Sequence, residues 1–196
     1  MAGYPRIPIH REIDNCSLCA DHLPLGPRPV VQASSTARLL IIGQAPGRKV
    51  HETGIPWNDA SGAQLRNWLD MSPDEFYDAG RVAIMPMGFC YPGKGNSGDL
   101  PPRPECAPTW HARLLEFMTE IRLTLLIGSY AQRHYLQLPK GVTLTATVAR
   151  YADFLPRYFP LPHPSPRNRF WQSRNPWFDE QVLPELRKQV RAALAN

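Results

Sequence analysis

No stretch of the 196-residue sequence approaches the roughly 18 apolar residues that a membrane-spanning helix needs, and the N-terminus carries no apolar signal core. The expectation is a cytoplasmic protein with no membrane partner. Internal repeats and low-complexity tracts are also missing. The 22 prolines are spread through loops such as Leu100-Pro101-Pro102-Arg103-Pro104 and Phe159-Pro160-Leu161-Pro162, where they stiffen connections. Lysine is scarce beside arginine. Together the two number 22 against 17 Asp and Glu, for a net charge of +5. A basic, arginine-rich surface suits phosphate, although a merely solvated surface accounts for the charge nearly as well.

Cysteine is scarce too, and its spacing is informative. Cys16 and Cys19 form the one C-x-x-C; Cys90 and Cys106 stand apart from it and from each other. In a cytosolic chain this pattern points to a metal or cluster, because the compartment keeps disulfides reduced. Zinc ribbons often use two C-x-x-C knuckles, and the second is absent. A four-iron cluster places each thiolate on its own iron and accepts one close pair with two distant ligands. A 4Fe-4S cluster on Cys16, Cys19, Cys90 and Cys106 is therefore favoured, with zinc as the alternative. Either centre would staple a cysteine-bearing leader, about residues 1–30, to the loop running from Tyr91 to Glu105.

One α/β domain spanning 1–196 suits the length. Apolar runs at about Arg38–Ile42, Val82–Met87, Leu123–Ile127 and Arg157–Leu161 read as strands. Between them, helical spacing appears at Leu65, Trp68 and Leu69 behind a cap at Ser61. It recurs after Ser72-Pro73, from Pro108 to Ile121, from Tyr130 to Leu136, and from Phe178 to Leu194. Gly141–Ala152 fits no period. Strands alternating with helices imply a three-layer α/β/α fold around a mostly parallel four-stranded sheet, with ligands bound beyond the carboxyl ends of the strands.

Three stretches in order resemble the uracil-DNA glycosylase superfamily. Gly43-Gln44-Ala45-Pro46-Gly47 is similar to the GEAPG of its iron–sulfur class, often called family four. Gly54-Ile55-Pro56-Trp57-Asn58-Asp59-Ala60-Ser61-Gly62-Ala63-Gln64-Leu65 resembles GRPFVGRAGQLL, and His163-Pro164-Ser165-Pro166 matches the superfamily's second motif. The cysteine pattern looks most like the same class. The resemblance implies a monofunctional glycosylase that releases uracil or a related deaminated base from DNA in base excision repair, acting as a monomer. Trp57 would stack on the base, His163 would donate to its carbonyl, and Gln44 and Ala45 would hold it. Ser165 and Ser129 would grip phosphate.

The sequence departs from that pattern at three places. The family glutamate is Gln44, and the aspartate of the best-known uracil class is Ala45, so no carboxylate stands in the first motif; Gln44 would orient water, with Asp59 as a substitute base. The Asn expected near Met85-Pro86-Met87-Gly88-Phe89 is missing, leaving Asn58 as a candidate reader of the base edge. Arg167 replaces the apolar residue that fills the vacated stack, and with Arg169, Arg174, Phe170 and Trp171 it suggests a basic, aromatic DNA surface. Glu52 and His51 read as solvent-facing loop residues. No motif lysine is placed to form a Schiff base. A non-catalytic relative that binds damaged DNA through the same pocket is the alternative.

Overall fold

Residues 39–42 are Leu-Leu-Ile-Ile, so a strand built from them must be covered on both faces. The computed structural model describes residues 7–96 and 98–195 and covers them so: Leu39–Ile42 forms β1 with all four side chains buried. The further strands are β2 (Val82–Ile84), β3 (Lys94–Gly95), β4 (Gly98–Asp99), β5 (Leu123–Ile127) and β6 (Tyr158–Leu161). β2, β1, β5 and β6 form, in that order, a parallel sheet in which Leu39 faces Leu123 and Ile42 faces Leu126. β3 and β4 make a separate antiparallel hairpin.

The helices are α1 (His10–Asp14), α2 (Arg48–Thr53), α3 (Ala60–Leu69), α4 (Pro73–Phe76), α5 (Cys106–Leu115), α6 (Gly128–Leu136), α7 (Leu144–Ala149), α8 (Arg169–Arg174) and α9 (Leu183–Leu194). Because successive side chains of a strand point to opposite faces, Leu39 and Ile41 pack with α3, α4, α7 and α9, while Leu40 and Ile42 pack with α1, α5 and α6. The result is the expected three-layer α/β/α arrangement. α9 presents Leu183, Leu186, Val190 and Ala193 at helical spacing to the first of these cores. The free edge of β2 is covered by Gln32, which exchanges backbone bonds of 2.9 and 2.7 Å with Ile84.

Several boundaries differ from the sequence expectation for local reasons. The cap of α3 is Asp59, two residues before Ser61: its Oδ1 accepts from the Gly62 N–H at 2.8 Å. Ser72 caps α4 as expected and closes a capping box with Glu75. α5 starts at Cys106, with Pro108 in the first turn where a missing N–H costs nothing, and ends at Leu115. Gly141–Ala152 resolves into α7, capped by Thr143, followed by a tighter turn over Tyr151–Phe154. A wide turn at Phe178–Val182 precedes α9. The leader is less polar in effect than its composition, since Ile7, Ile9 and Ile13 are buried against the sheet. No described helix is long and apolar enough to cross a membrane.

Candidate active site

The chain leaves β1 at Gly43 and β6 just before His163, so the first and last motifs emerge at the same edge of the sheet. Between them lies a cavity of about 390 Å³, within the range of small-molecule sites. Gln44, Ala45, Trp57, Asp59, His163, Ser165 and Arg167 all line it. Asn58, Ser129 and Arg169 do not. Ser129 is half-buried at the second position of α6, and Arg169 is exposed at the start of α8, beside a groove that also holds Gln64 and Trp171.

Trp57 is fixed by two close approaches. A Cβ on Gly43 would lie 2.8 Å from its indole Cζ2, and a Cβ on Gly62 would lie 1.7 Å from its carbonyl oxygen. Trp57 itself sits at φ +55, a left-handed conformation that bulky residues rarely adopt. The Arg66 guanidinium donates to its carbonyl at 3.3 Å, which helps hold the turn. The indole ends with its ring centre 5.6 Å from that of His163, at an interplanar angle of 35°.

His163 carries its own orienting contacts. Its Nδ1 accepts from the Ser165 N–H at 3.2 Å, and its carbonyl accepts from the Asn168 amide at 2.8 Å. Burial lowers its pKa below the ordinary value, and the Asp59 carboxylate opposes that effect only in part. A neutral ring whose Nδ1 is an acceptor bears its proton on Nε2. His163 is therefore a hydrogen-bond donor at that atom.

Gln44 and Asp59 are both partly committed. The Gln44 amide nitrogen donates to the Leu100 carbonyl at 3.2 Å, and one Asp59 oxygen caps α3. Sequence reasoning missed the β3–β4 hairpin as a wall of this cavity. Lys94, Gly98 and Asp99 all line it, so a lysine does reach the site although none lies in the motifs. Asp99 is exposed as a residue, yet its carboxyl is raised, mainly by partial desolvation and also by Asp59, against the lowering effect of Arg167 and Lys94. Arg167 reaches back to this hairpin; its Nη1 lies 3.1 Å from where a Cβ on Gly98 would stand. A Gly-rich loop has no periodicity that could have announced Asp99.

Glu52 is exposed and pairs with Arg48 at 2.9 Å, in keeping with a solvated role. His51 is instead buried, within ring contact of Tyr91, and burial lowers its pKa. The basic, aromatic segment divides: Phe170 is 77% exposed, whereas Trp171 donates to Thr145 at 2.8 Å and packs edge-on against Trp177 and Phe178.

Cys16, Cys19, Cys90 and Cys106 line one small cavity together with Arg103 and Trp110. The Cys106 sulfur accepts from the Phe89 N–H at 3.3 Å. Burial pushes the Cys90 thiol up to about 11 and Cys106 up to about 12. Among the described residues, no three His, Cys, Asp or Glu side chains form a group that could hold a metal ion.

The cavity thus combines a planar aromatic wall, a neutral imidazole donor and exposed backbone at the carboxyl edge of a parallel sheet, a set suited to gripping a flat heterocycle and stabilising negative charge on it. Their order along the chain is also that of a known family of DNA glycosylases: a family model for the uracil DNA glycosylase superfamily matches residues 31–187, and the chain belongs to that superfamily.

Proposed function

We propose that the protein is a monofunctional DNA glycosylase that hydrolyses the N-glycosidic bond of uracil or a related deaminated base in base excision repair, acting as a monomer. The observation that carries the reading is the neutral His163, with its Nε2 proton, lining one cavity with Trp57. A base inside a duplex is out of reach of such a cavity, so the nucleotide must be flipped into it. Breaking the bond leaves negative charge on the base, and a donor at its carbonyl lowers that barrier. Trp57 supplies the flat wall, and the backbone at Gln44 and Ala45 supplies further contacts. Ser165 and the arginines beyond it hold the DNA backbone. Lys94 is exposed and faces Asp99 across the hairpin, unlike the desolvated setting that activates a Schiff-base lysine.

A 4Fe-4S cluster is the favoured occupant of the cysteine cavity, with zinc as the alternative: all four cysteines line one cavity, and a cluster distributes its thiolates over separate irons. The N–H donor on Cys106 suits a thiolate ligand. Bound there, the group would tie the leader to the segment leading from Cys90 through the hairpin to α5; no step of base release runs through it.

The test is base release from oligonucleotides carrying uracil, hypoxanthine or xanthine, with anaerobically purified protein and His163→Ala. The expected result is release by the wild type and a loss of about 100-fold or more in the variant, with DNA affinity retained. Gln44 in place of the family carboxylate is what favours a second reading, a damaged-DNA binder without catalysis. Tight binding with no release of any base would select it. Iron and sulfide, without stoichiometric zinc, are expected in the same preparation.

A further inference from the structure

The first motif lacks the carboxylate that would ready a water for attack, yet the cavity does not lack one. A Cβ placed on Gly47 would lie 3.5 Å from Asp99 Oδ2 and 3.9 Å from Asp59 Oδ2, so two carboxylates bracket the backbone of the motif from different parts of the chain. Their situations differ. Asp59 gives its other oxygen to the Gly62 N–H, an N-cap bond that fixes the side chain for a structural purpose. Asp99 comes from the hairpin, and the hairpin is fastened by the very residue that replaced the family carboxylate. The Gln44 amide nitrogen donates to the Leu100 carbonyl, and the Leu100 N–H in turn closes onto the Gly93 carbonyl at 2.9 Å. A glutamate at position 44 has only acceptor oxygens when ionised and could not make that bond.

We propose that Asp99 is a catalytic residue that takes the proton of the attacking water, and that Gln44 is a positioning residue which holds Asp99 in the cavity through Leu100. The proposal rests on the glycosylase reading above. In the reaction the C1′–N bond breaks and its electron pair leaves with the base, stabilised by the Nε2 proton of His163. The water oxygen bonds to C1′, its proton passes to the Asp99 carboxylate, and the released base takes a proton from solvent. The groups facing Asp99 are Lys94 on β3, Asp59 ahead of α3, Arg167 beyond the last motif and Tyr91. Asp99 is exposed as a residue, but partial desolvation of its carboxylate and the nearby Asp59 make it more basic than usual, which favours proton abstraction.

The experiment is single-turnover base release by the full chain, as wild type, Asp99→Asn, Asp59→Asn, Gln44→Ala and Gln44→Ala with Asp99→Asn, each across pH and each with a melting curve. The Asp99→Asn rate should fall about 100-fold or more with unchanged melting and DNA binding, and the acid-side decline expected of the wild type over the carboxylate range should be absent from it. Asp59→Asn, which keeps a capping side chain but removes a charge that makes Asp99 more basic, should cost much less than Asp99→Asn and move the acid-side decline to lower pH. Gln44→Ala should lower the rate of the wild type but add nothing to Asp99→Asn, because it acts through that residue. Asp99→Asn within about threefold of wild type, or a loss in Asp59→Asn as large as the one in Asp99→Asn, overturns the assignment of Asp99. Additive losses overturn the role of Gln44. Absence of release by the wild type overturns the glycosylase reading itself, and this inference with it, a result distinct from a silent Asp99→Asn.

Discussion

The base cavity and the cysteine cavity sit on the same chain but are held in different ways. Around Trp57 and His163 the restraints are short-range and made of backbone: glycines that admit the indole, a left-handed turn, a helix cap, and an imidazole fixed by the amide two residues on. The cysteines come from the leader, the end of the β2 segment and the start of α5, and their sulfurs are held by long contacts, Cys106 to the Phe89 N–H at 3.3 Å and Cys19 to Glu105 at 3.9 Å, rather than by close backbone approaches. A site that must meet a transient, strained substrate is organised before binding. One that would hold a resident group can leave part of its order to that group.

The largest effect should come from attacking the backbone restraints. Gly62→Ala puts a Cβ 1.7 Å from the Trp57 carbonyl, backbone against backbone, with no side chain free to yield. It is expected to cost about 3 kcal/mol or more in denaturant unfolding and to abolish base release. Gly43→Ala is the milder control. Its clash is with the rim of an indole, which can shift, so base release should fall more than stability.

The cysteine cavity should respond in the opposite order. Cys106→Ser is expected to lose iron and lower stability by about 3 kcal/mol, the scale set by a ligand bound at roughly a hundred times its Kd. The leader should become sensitive to protease at the same time. A variant with full iron content and an unchanged melting curve would break the contrast between the two cavities.

A pH titration sharpens the comparison further, because His111 lies between the two sites. Its Nε2 donates to the Pro86 carbonyl at 3.0 Å, on the wall of the base cavity, and its ring stacks on Phe89, next to Cys90. Burial lowers its pKa from 6.5 to about 4. Between those values the unfolded chain binds a proton that the folded chain refuses, so stability rises with pH and falls on acidification. About 2 kcal/mol should be lost between pH 7 and 5, levelling off below about 4, and His111→Gln should remove that slope from the pH-dependent melting curves.

These contrasts also explain what the sequence could disclose. β1, β5 and the HPSP turn were legible because each is specified within a few residues: an apolar run buried on both faces, or a motif whose contacts are local. Asp59 and Ser61 are both good caps, and the choice between them was made by the left-handed turn at Trp57, which no pattern rule contains. His51 lies in a polar stretch and read as solvent-facing, yet α2 turns it inward. Asp99 was hidden for a different reason: its place depends on a bond between Gln44 and Leu100, 56 residues apart.

The smallest effect belongs to the exposed ring of Phe170 on the outer rim. Arg167, at the position of the family's stack-filling residue, folds back toward the hairpin, while Phe170 stands 77% exposed between Arg169 and the rest of α8. An aromatic ring flanked by arginine can enter a strained base step without disturbing the protein that carries it. Phe170→Ala should therefore leave the melting curve unchanged and weaken binding to DNA with an extrahelical nucleotide by about three- to tenfold, the low end for one stacked base. Trp171→Ala should do the reverse: its indole bonds Thr145 and packs on Phe178, so stability falls by about 3 kcal/mol. Equal losses of affinity in the two variants, measured at one salt concentration, would mean that the exposed ring has no contact of its own with DNA.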